Sequence, residues 1–399
     1  MFRSFAWVSL LPFLLAGCDA QINGDEIRGS GHIVTENRPV TDFDSVENQT
    51  FFDVRIDRGN KLAVEVSGDD NLVPEVETVV ENHRLLIRSK RRSYHITWNS
   101  HPGTVHVTMP ALQSLQQNGS GDIEVNDLQA TQFTLQQNSS GDVRLDGKSD
   151  TLTVKASGSG DIDLHRLQTG RADIRISGSG DISMMTVSEA LQIELHGSGD
   201  LRAEDLRNTS VKVSQNGSGG IQLQGQIRQL QIDANGSGDI QVQGGKMEQA
   251  MIQLHGSGDA SLEGDVALLE LQVFGSGDVD AKRLFADQVV LTNHGPADLN
   301  FESVRQSLKA ELSGSGDVSV ALDNAAVIAL QMHGSGNCHL RGNAKNLSAT
   351  VDGSGDLRAK ELLLDTASIK VNGSSEAEVN VKKAGGSRIV LINRNGVVQ

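Results

Sequence analysis

The sequence predicts an all-β chain: a single-stranded parallel β-helix, or β-solenoid, of about fourteen regular coils behind an irregular N-terminal β region. Three observations carry this. A Gly-Ser-Gly-Asp motif returns at spacings of 19 and 20 residues in strict alternation. The residues around it alternate apolar and polar with period two, the mark of a strand with one buried and one wet face. Composition excludes the competing classes. Of 399 residues, 43 are Gly but only 6 are Pro, so the glycine is neither collagenous nor linker-like. Aromatic residues make up 3%, too few for several conventional cores. A net charge of −16 argues against a nucleic-acid partner, which needs a basic face. Two cysteines cannot staple a disulfide framework.

The chain opens with Arg3 and an apolar run from Phe5 to Leu15, too short to span a bilayer as a helix. It has the shape of an export signal, read as residues 1–17. The signal ends in Leu15-Ala16-Gly17-Cys18, which resembles the lipobox of bacterial lipoproteins. The resemblance implies cleavage before Cys18, lipidation of its thiol with acyl chains such as palmitate, and anchoring in a membrane. Asp19 resembles an inner-membrane retention signal, which favours a periplasm-facing protein over an outer-membrane one. Residues 18–28 then read as the lipidated Cys and a short tether.

Residues 29–112 are strand-like but irregular. Phe52-Asp53-Val54-Arg55-Ile56, Leu62-Ala63-Val64-Glu65-Val66, Leu85-Leu86-Ile87 and Val105-His106-Val107 alternate or run apolar. This region is expected to start the solenoid and shield its first edge.

Residues 113–381 carry the repeat. Gly-Ser-Gly-Asp ends at Asp122, Asp161, Asp181, Asp200, Asp239, Asp259, Asp278, Asp317 and Asp356; degenerate copies end at Asp142, Gly220, Asp298, Asn337 and Glu376. One and three places after each Asp stand uncharged, mostly apolar residues, as in Ile162 and Leu164, with a polar residue such as Asp163 between them. Each coil is expected to hold two short strands joined by Gly-Ser-Gly, the glycines supplying positive φ. Longer coils often carry a further Leu six places after the Asp (Leu128, Leu167, Leu206, Leu284, Leu362), which points to alternating corner shapes. Residues 382–399, with Ile389-Val390-Leu391-Ile392 between Lys382, Lys383, Arg388 and Arg394, read as a charged C-terminal cap strand.

Several of these residues together resemble a known family. They are Arg38-x-Val40-x-x-Phe43-x-x-Val46, Phe52-Asp53-Val54-x-Ile56-x-x-Gly59, Asp70-Asn71-Leu72, Val105-x-Val107-x-x-Pro110-x-Leu112 and the Gly-Ser-Gly-Asp coils. The set is similar to the auto-transporter adhesin head, or GIN domain, family. That resemblance implies an exported single-stranded β-helix of the bacterial envelope and brings no catalytic residues with it.

The candidate chemistry lies along the coils. A column of stacked Asp residues would repel by roughly 0.9 kcal/mol per pair at ~4.8 Å in water. Two readings answer this. Each Asp accepts turn N–H bonds, or Ca²⁺ sits between coils, with Asp142, Asp161, Asp181 and Asp200 as the unbroken run of candidate ligands. His196, His255, His294 and His333 share the position before the motif but never in adjacent coils, so they read as polar turn residues and not Zn²⁺ ligands. Arg88, Lys90, Arg91 and Arg92, with Tyr94 and Trp98 nearby, form the one basic run, either a solvated loop or a contact for anionic lipid or glycan. Cys338 takes an inward position and reads as a buried thiol. No nucleophile constellation stands out.

The resulting expectation is a non-enzymatic, lipid-anchored interaction solenoid with no required cofactor, whose partners beyond the membrane are a glycan or an envelope protein. The alternatives are a polysaccharide-binding or polysaccharide-degrading β-helix and a structural envelope spacer.

Overall fold

Strand residues with one apolar face find their partners one coil away, and this sets the architecture. The computed structural model describes residues 25–90, 94–97, 103–383, 386–393 and 397–398. The signal segment, Cys18, Asp19, Arg91, Arg92, Trp98 and Arg394 lie outside the described residues. Thirteen long strands, from Ile123–Gln137 to Leu357–Val371, pair in parallel, each with the next, as a β-solenoid. After the fourteenth motif the shorter strand Glu376–Lys383 stacks in parallel on only the first part, Leu357–Leu364, of the coil before it.

Each coil is one continuous strand from motif to motif, bent in the middle, where two short strands were expected. The predicted inward residues stack in register. Ile162, Ile182, Leu201 and Ile221 form one column, and Ile174, Ile193, Val213 and Ile232 another. All eight are buried, whereas Asp163 and Ser183 between them are partly exposed. Burying one such side chain contributes roughly 1.5–3 kcal/mol, and the columns run the length of the solenoid. This is how a chain so poor in aromatic residues builds a core.

The 19/20 alternation resolves at the bend. Strands of 15 and 14 residues alternate, and the pairing register shifts by one residue there. The Leu of a longer coil pairs with a Gly of a shorter one: Leu128 and Leu167 flank Gly147, and Leu322 and Leu362 flank Gly342. Gly147 has φ +134°, and a Cβ there would lie 2.2 Å from the Leu128 carbonyl oxygen. In these pairs the shorter coil turns tightly at glycine and the longer one bulges to bury a leucine; elsewhere Thr186 or Ser303 takes the bend of the shorter coil.

The N-terminal region contains a coil that the sequence spacing conceals. Ser45–Asn48 and Asp53–Arg58 pair in parallel with Ser114–Gln117 and Ile123–Asn126 above them. On their other side they pair with Arg84–Ser89 and Thr104–Met109. The solenoid stacking therefore begins near residue 45 and not at 113. Antiparallel strands Ile33–Arg38, Ala63–Asp69 and Val76–Glu81 flank this start. Asp25–Arg28, expected within the tether, is a strand paired with Tyr94–Thr97. At the far end Glu376–Lys383 turns back on Gly386–Asn393 as an antiparallel hairpin, so the cap has two strands where one was expected.

This register gives a direct test. Ile182→Asp would bury an unpaired charge and should destabilise by several kcal/mol. Ser183→Asp faces outward, between Asp163 and Arg202 of the adjoining coils, and should cost about 0.5 kcal/mol or less. Equal losses in chemical denaturation would show the register to be wrong.

Candidate functional site

The motif column is where chemistry-bearing groups concentrate, and backbone contact explains its composition. A Cβ placed on Gly158 would lie 1.9 Å from the Ser139 carbonyl oxygen, and one on Gly160 would lie 2.3 Å from that of Gly141. The expected positive φ is not the reason for these glycines, since no Gly-Ser-Gly glycine from Gly119 to Gly355 adopts it. They are glycines because successive turns stack backbone on backbone. Serine N–H groups continue the coil-to-coil bonding through the turn, as from Ser179 to the Gly158 carbonyl at 3.1 Å.

The aspartates answer an interruption of the parallel ladder at the turn. Just before the motif Asn138 N–H donates to the Gln117 carbonyl one coil below, and just after it Ile123 N–H donates to the Asp142 carbonyl one coil above. Between them the Asp142 N–H points down at Asp122, whose own carbonyl also points down, toward Val54, while the preceding Gly121 carbonyl takes the buried amide of Gln117. No backbone acceptor remains, and the Asp122 carboxylate supplies one at 2.9 Å. The same bond recurs from Asp161 to Asp142 at 2.8 Å, Asp181 to Asp161 at 2.9 Å and Asp200 to Asp181 at 2.8 Å. Asn337 serves equally: its Oδ1 accepts from Asp356 N–H at 3.1 Å. Of the two readings of the column, the geometry is that of an N–H acceptor ladder, with the donor one coil away and not in the same turn. Among the described residues no group of three or more His, Cys, Asp or Glu is placed to hold a metal ion.

Asp53 is the ladder's first rung, accepting from Asp122 N–H at 2.9 Å. Burial pushes its carboxyl above the ordinary aspartate range; the Asp122 N–H bond opposes this and the Asp122 charge adds to it. Buried amides brace the same turns. Gln137 Nε2 donates to the carbonyls of Ser139, Gly141 and Gly160 at 3.0, 3.1 and 2.9 Å. Gln117, Gln215 and Asn293 occupy the equivalent position and bond likewise to turn carbonyls. Sequence reasoning passed over them, although an amide five places before the motif's last residue, where the other coils carry Ala, Val, Leu, Ile or Met, is a readable signal.

Outside the turn runs a polar column. Asn138 Nδ2 donates to Asn118 Oδ1 at 2.9 Å and Ser157 Oγ to Asn138 Oδ1 at 2.8 Å. The histidines belong to it. His255 and His294 stack on either face of Phe274, with ring centroids 4.7 and 5.3 Å apart. Phe274 supplies the intervening coil that separates the two histidines. Beside this column lies a shallow trough of about 1090 Å³, its length lined by Ser, Gly, Asn and His residues from Asn138 to Ser257.

These features match a family pattern. The family model described as "Putative auto-transporter adhesin, head GIN domain" matches residues 42–224, 187–262, 226–323 and 319–390. The chain belongs to this family. A comparison with curated protein sequences finds no match. Among solved structures, this GIN-domain chain is similar to a putative adhesin from Bacteroides fragilis (15% identity, 82% of this chain and 99% of that one, TM-score 0.26). It is also similar to a putative adhesin from Parabacteroides merdae (14%, 90% and 100%, TM-score 0.28). A third likeness is to a putative lipid binding protein from Parabacteroides distasonis (18%, 83% and 98%, TM-score 0.22). The family places the chain among adhesin-like proteins of the cell surface or envelope. No helix among the described residues is long and apolar enough to cross a membrane.

Elsewhere in the GIN-domain chain the candidates separate. Arg88 is held by Glu77 at 2.8 Å, with Glu81 at 3.6 Å, and the Glu77 bond and charge lift its guanidinium above its ordinary range. Lys90 donates its backbone N–H to the Glu75 carbonyl at 2.9 Å. The basic run is thus not a uniform cationic patch, because its first member is paired with carboxylates. Asp163 is drawn below the ordinary aspartate range: burial pushes the other way, but bonds from the His165 backbone and ring and from Arg144 prevail. Cys338 is buried as expected, and burial, with the Asp317 charge adding, pushes its thiol up to about 12. A thiol so rarely ionised is inert.

The ladder can be tested at Asp181. Asp181→Asn keeps an acceptor for the Asp200 N–H and should be nearly neutral. Asp181→Ala removes it and should destabilise by about 1–2 kcal/mol. If the column is turn chemistry alone, EDTA should leave the melting temperature of all three proteins unchanged. A Ca²⁺-specific rise absent at equal NaCl ionic strength would refute that.

Proposed function

We propose that this chain is a non-enzymatic interaction solenoid of the bacterial envelope, tethered to a membrane by lipid on Cys18 and facing the periplasm. Its partner surface is the polar trough along the turn column, and its partner is a glycan. The observation that supports this most is the continuity of the trough. Hydroxyl and amide groups recur once per coil, at roughly 4.8 Å by strand spacing, so an extended polymer meets the same donors and acceptors again and again. Such a surface suits a hydroxyl-rich chain, which exchanges water hydrogen bonds for protein ones with little apolar burial.

A degrading enzyme fits less well. Glycoside hydrolysis requires two carboxylates set about a single bond at defined separation. Here each rung from Asp122 to Asp200 has one oxygen engaged by the next coil. We read Asp142, Asp161, Asp181 and Asp200 as structural and not as Ca²⁺ ligands, and no cofactor enters the proposed role. Arg88 and Lys90 are not assigned a contact with an anionic surface.

Two measurements test the proposal separately. Cys18→Ser should move the protein from the membrane to the soluble fraction; unchanged partition would defeat the anchor. On an array of envelope and host glycans, the wild type should show binding that falls at least about tenfold in Ser179→Trp, which puts a bulky ring in the trough. Ser179 is exposed, so folding should be retained, as far-ultraviolet circular dichroism would verify. Absence of any glycan binding by the wild type would favour a spacer without ligand.

A further inference from the structure

The acceptor ladder has one break, at Gly220. Gly220 N–H still donates to Asp200 Oδ1 at 2.7 Å, but a glycine has no carboxylate to offer upward. Among the successive rungs from Asp122 to Glu376, the Asp239 N–H alone lacks a side-chain acceptor from the coil below. Its carbonyl is engaged as at the other rungs, by Ile221 N–H at 2.9 Å, so the backbone around this N–H is arranged as theirs is.

The break is also a space. A cavity of about 500 Å³ opens there, with Asp200, Arg202, Ser218, Gln222, Ser237 and Gln241 in its wall. A Cβ on Gly220 would lie 3.5 Å from both Asp200 Oδ1 and the Asp239 carbonyl oxygen, ordinary contact distances, and φ is not in the left-handed region. Neither backbone strain nor crowding therefore demands glycine, in contrast to Gly219 just before it, whose Cβ would lie 2.1 Å from the Gly199 carbonyl oxygen.

We propose that this notch binds a carboxylate anion, one oxygen of which accepts the Asp239 N–H in place of the missing rung. Arg202 brings a positive charge to the wall, its Nε held on Gln222 Oε1 at 2.8 Å and 3.9 Å from the Glu204 carboxylate, which shares that charge. The hydroxyls of Ser218 and Ser237 and the amides of Gln222 and Gln241 are further donors. Asp181, Asp200 and the Asp239 side chain, all in the wall, oppose an anion, but the ladder already stacks carboxylates at this spacing wherever each has its N–H. A guest carboxylate meets the surroundings of a native rung without the covalent tether that pre-positions one, so affinity should be roughly millimolar. The ligand is a free organic acid or a sugar acid, and the two share this chemistry. The notch shares Ser218 and Ser237 with the trough, but Gly220 and Asp239, which define it, line the notch and not the trough, so either reading can fail alone.

The test uses the intact solenoid with sodium acetate and sodium glucuronate as probes, against NaCl at equal ionic strength. Acetate should slow exchange of the Asp239 amide hydrogen roughly tenfold at saturation and raise the melting temperature in a saturable way. Gly220→Asp should melt higher than the wild type without acetate and show neither effect. Gly220→Ala, which adds a Cβ but no acceptor, should keep the acetate response in weakened form. Glucuronate binding more tightly than acetate would mark a sugar acid as the ligand; equal binding would mark a free organic acid. No acetate-specific change at the Asp239 amide, or the same change in Gly220→Asp, would overturn the proposal.

Discussion

The whole solenoid depends on one difficulty of parallel stacking. Along the strands, successive N–H groups point alternately to the coil above and the coil below and find carbonyls there, but the turn interrupts this ladder. At that place each coil carries one N–H with no backbone acceptor, and an unmade bond there costs about 1–3 kcal/mol if water cannot reach it. Multiplied over the coils, this would be comparable with the stability of an ordinary domain. The side chain of the corresponding residue one coil below removes the problem. Aspartate is the fitting residue: its carboxylate is short, and its bond to N–H is strengthened by charge.

Other features follow from keeping that junction in place. The turn before it must repeat closely enough for its backbone to stack on the backbone below, which excludes a Cβ at Gly158 or Gly160. The inward columns of Ile, Leu and Val then hold the coils at strand spacing, and the buried amides of Gln117, Gln137, Gln215 and Asn293 tie turn carbonyls to the core side. Irregularity is displaced to the bend on the far side, where register shifts absorb the difference of one residue, in places through a glycine in one coil and a leucine in the next. The motif side can therefore stay uniform while the bend varies.

Uniformity also shapes what the surface can do. Repetition gives a binding surface length and regular spacing in place of a single deep site. Variation along it is then informative. The His255–Phe274–His294 stack marks one stretch of the outer column, and Gly220 marks the one place where a rung is withheld. Along the column one carboxylate oxygen of each rung from Asp122 to Asp200 accepts the next coil's N–H, and these bonds together with salt screening make the stacked charges tolerable.

The sequence by itself determined the solenoid, its coil length and its inward residues, because stacking copies one local pattern many times and period-two alternation is a local property. Ile162, Leu164 and Ile182 were readable one coil at a time. Cys338 was readable for the same reason, as it stands in a column of apolar residues. Tertiary structure alone decided what joins coils that are remote in sequence. That Asp53 is the first rung is hidden by its separation of 69 positions from Asp122, because the chain leaves to build flanking strands before it returns. That the motif glycines avoid a clash, and do not serve positive φ, depends on the carbonyl one coil below. The partner of each aspartate is likewise set by the direction of backbone N–H groups in a neighbouring coil. Local patterns fix which face a residue takes, but the bonds that make the ladder cross from coil to coil and exist only once the coils are stacked.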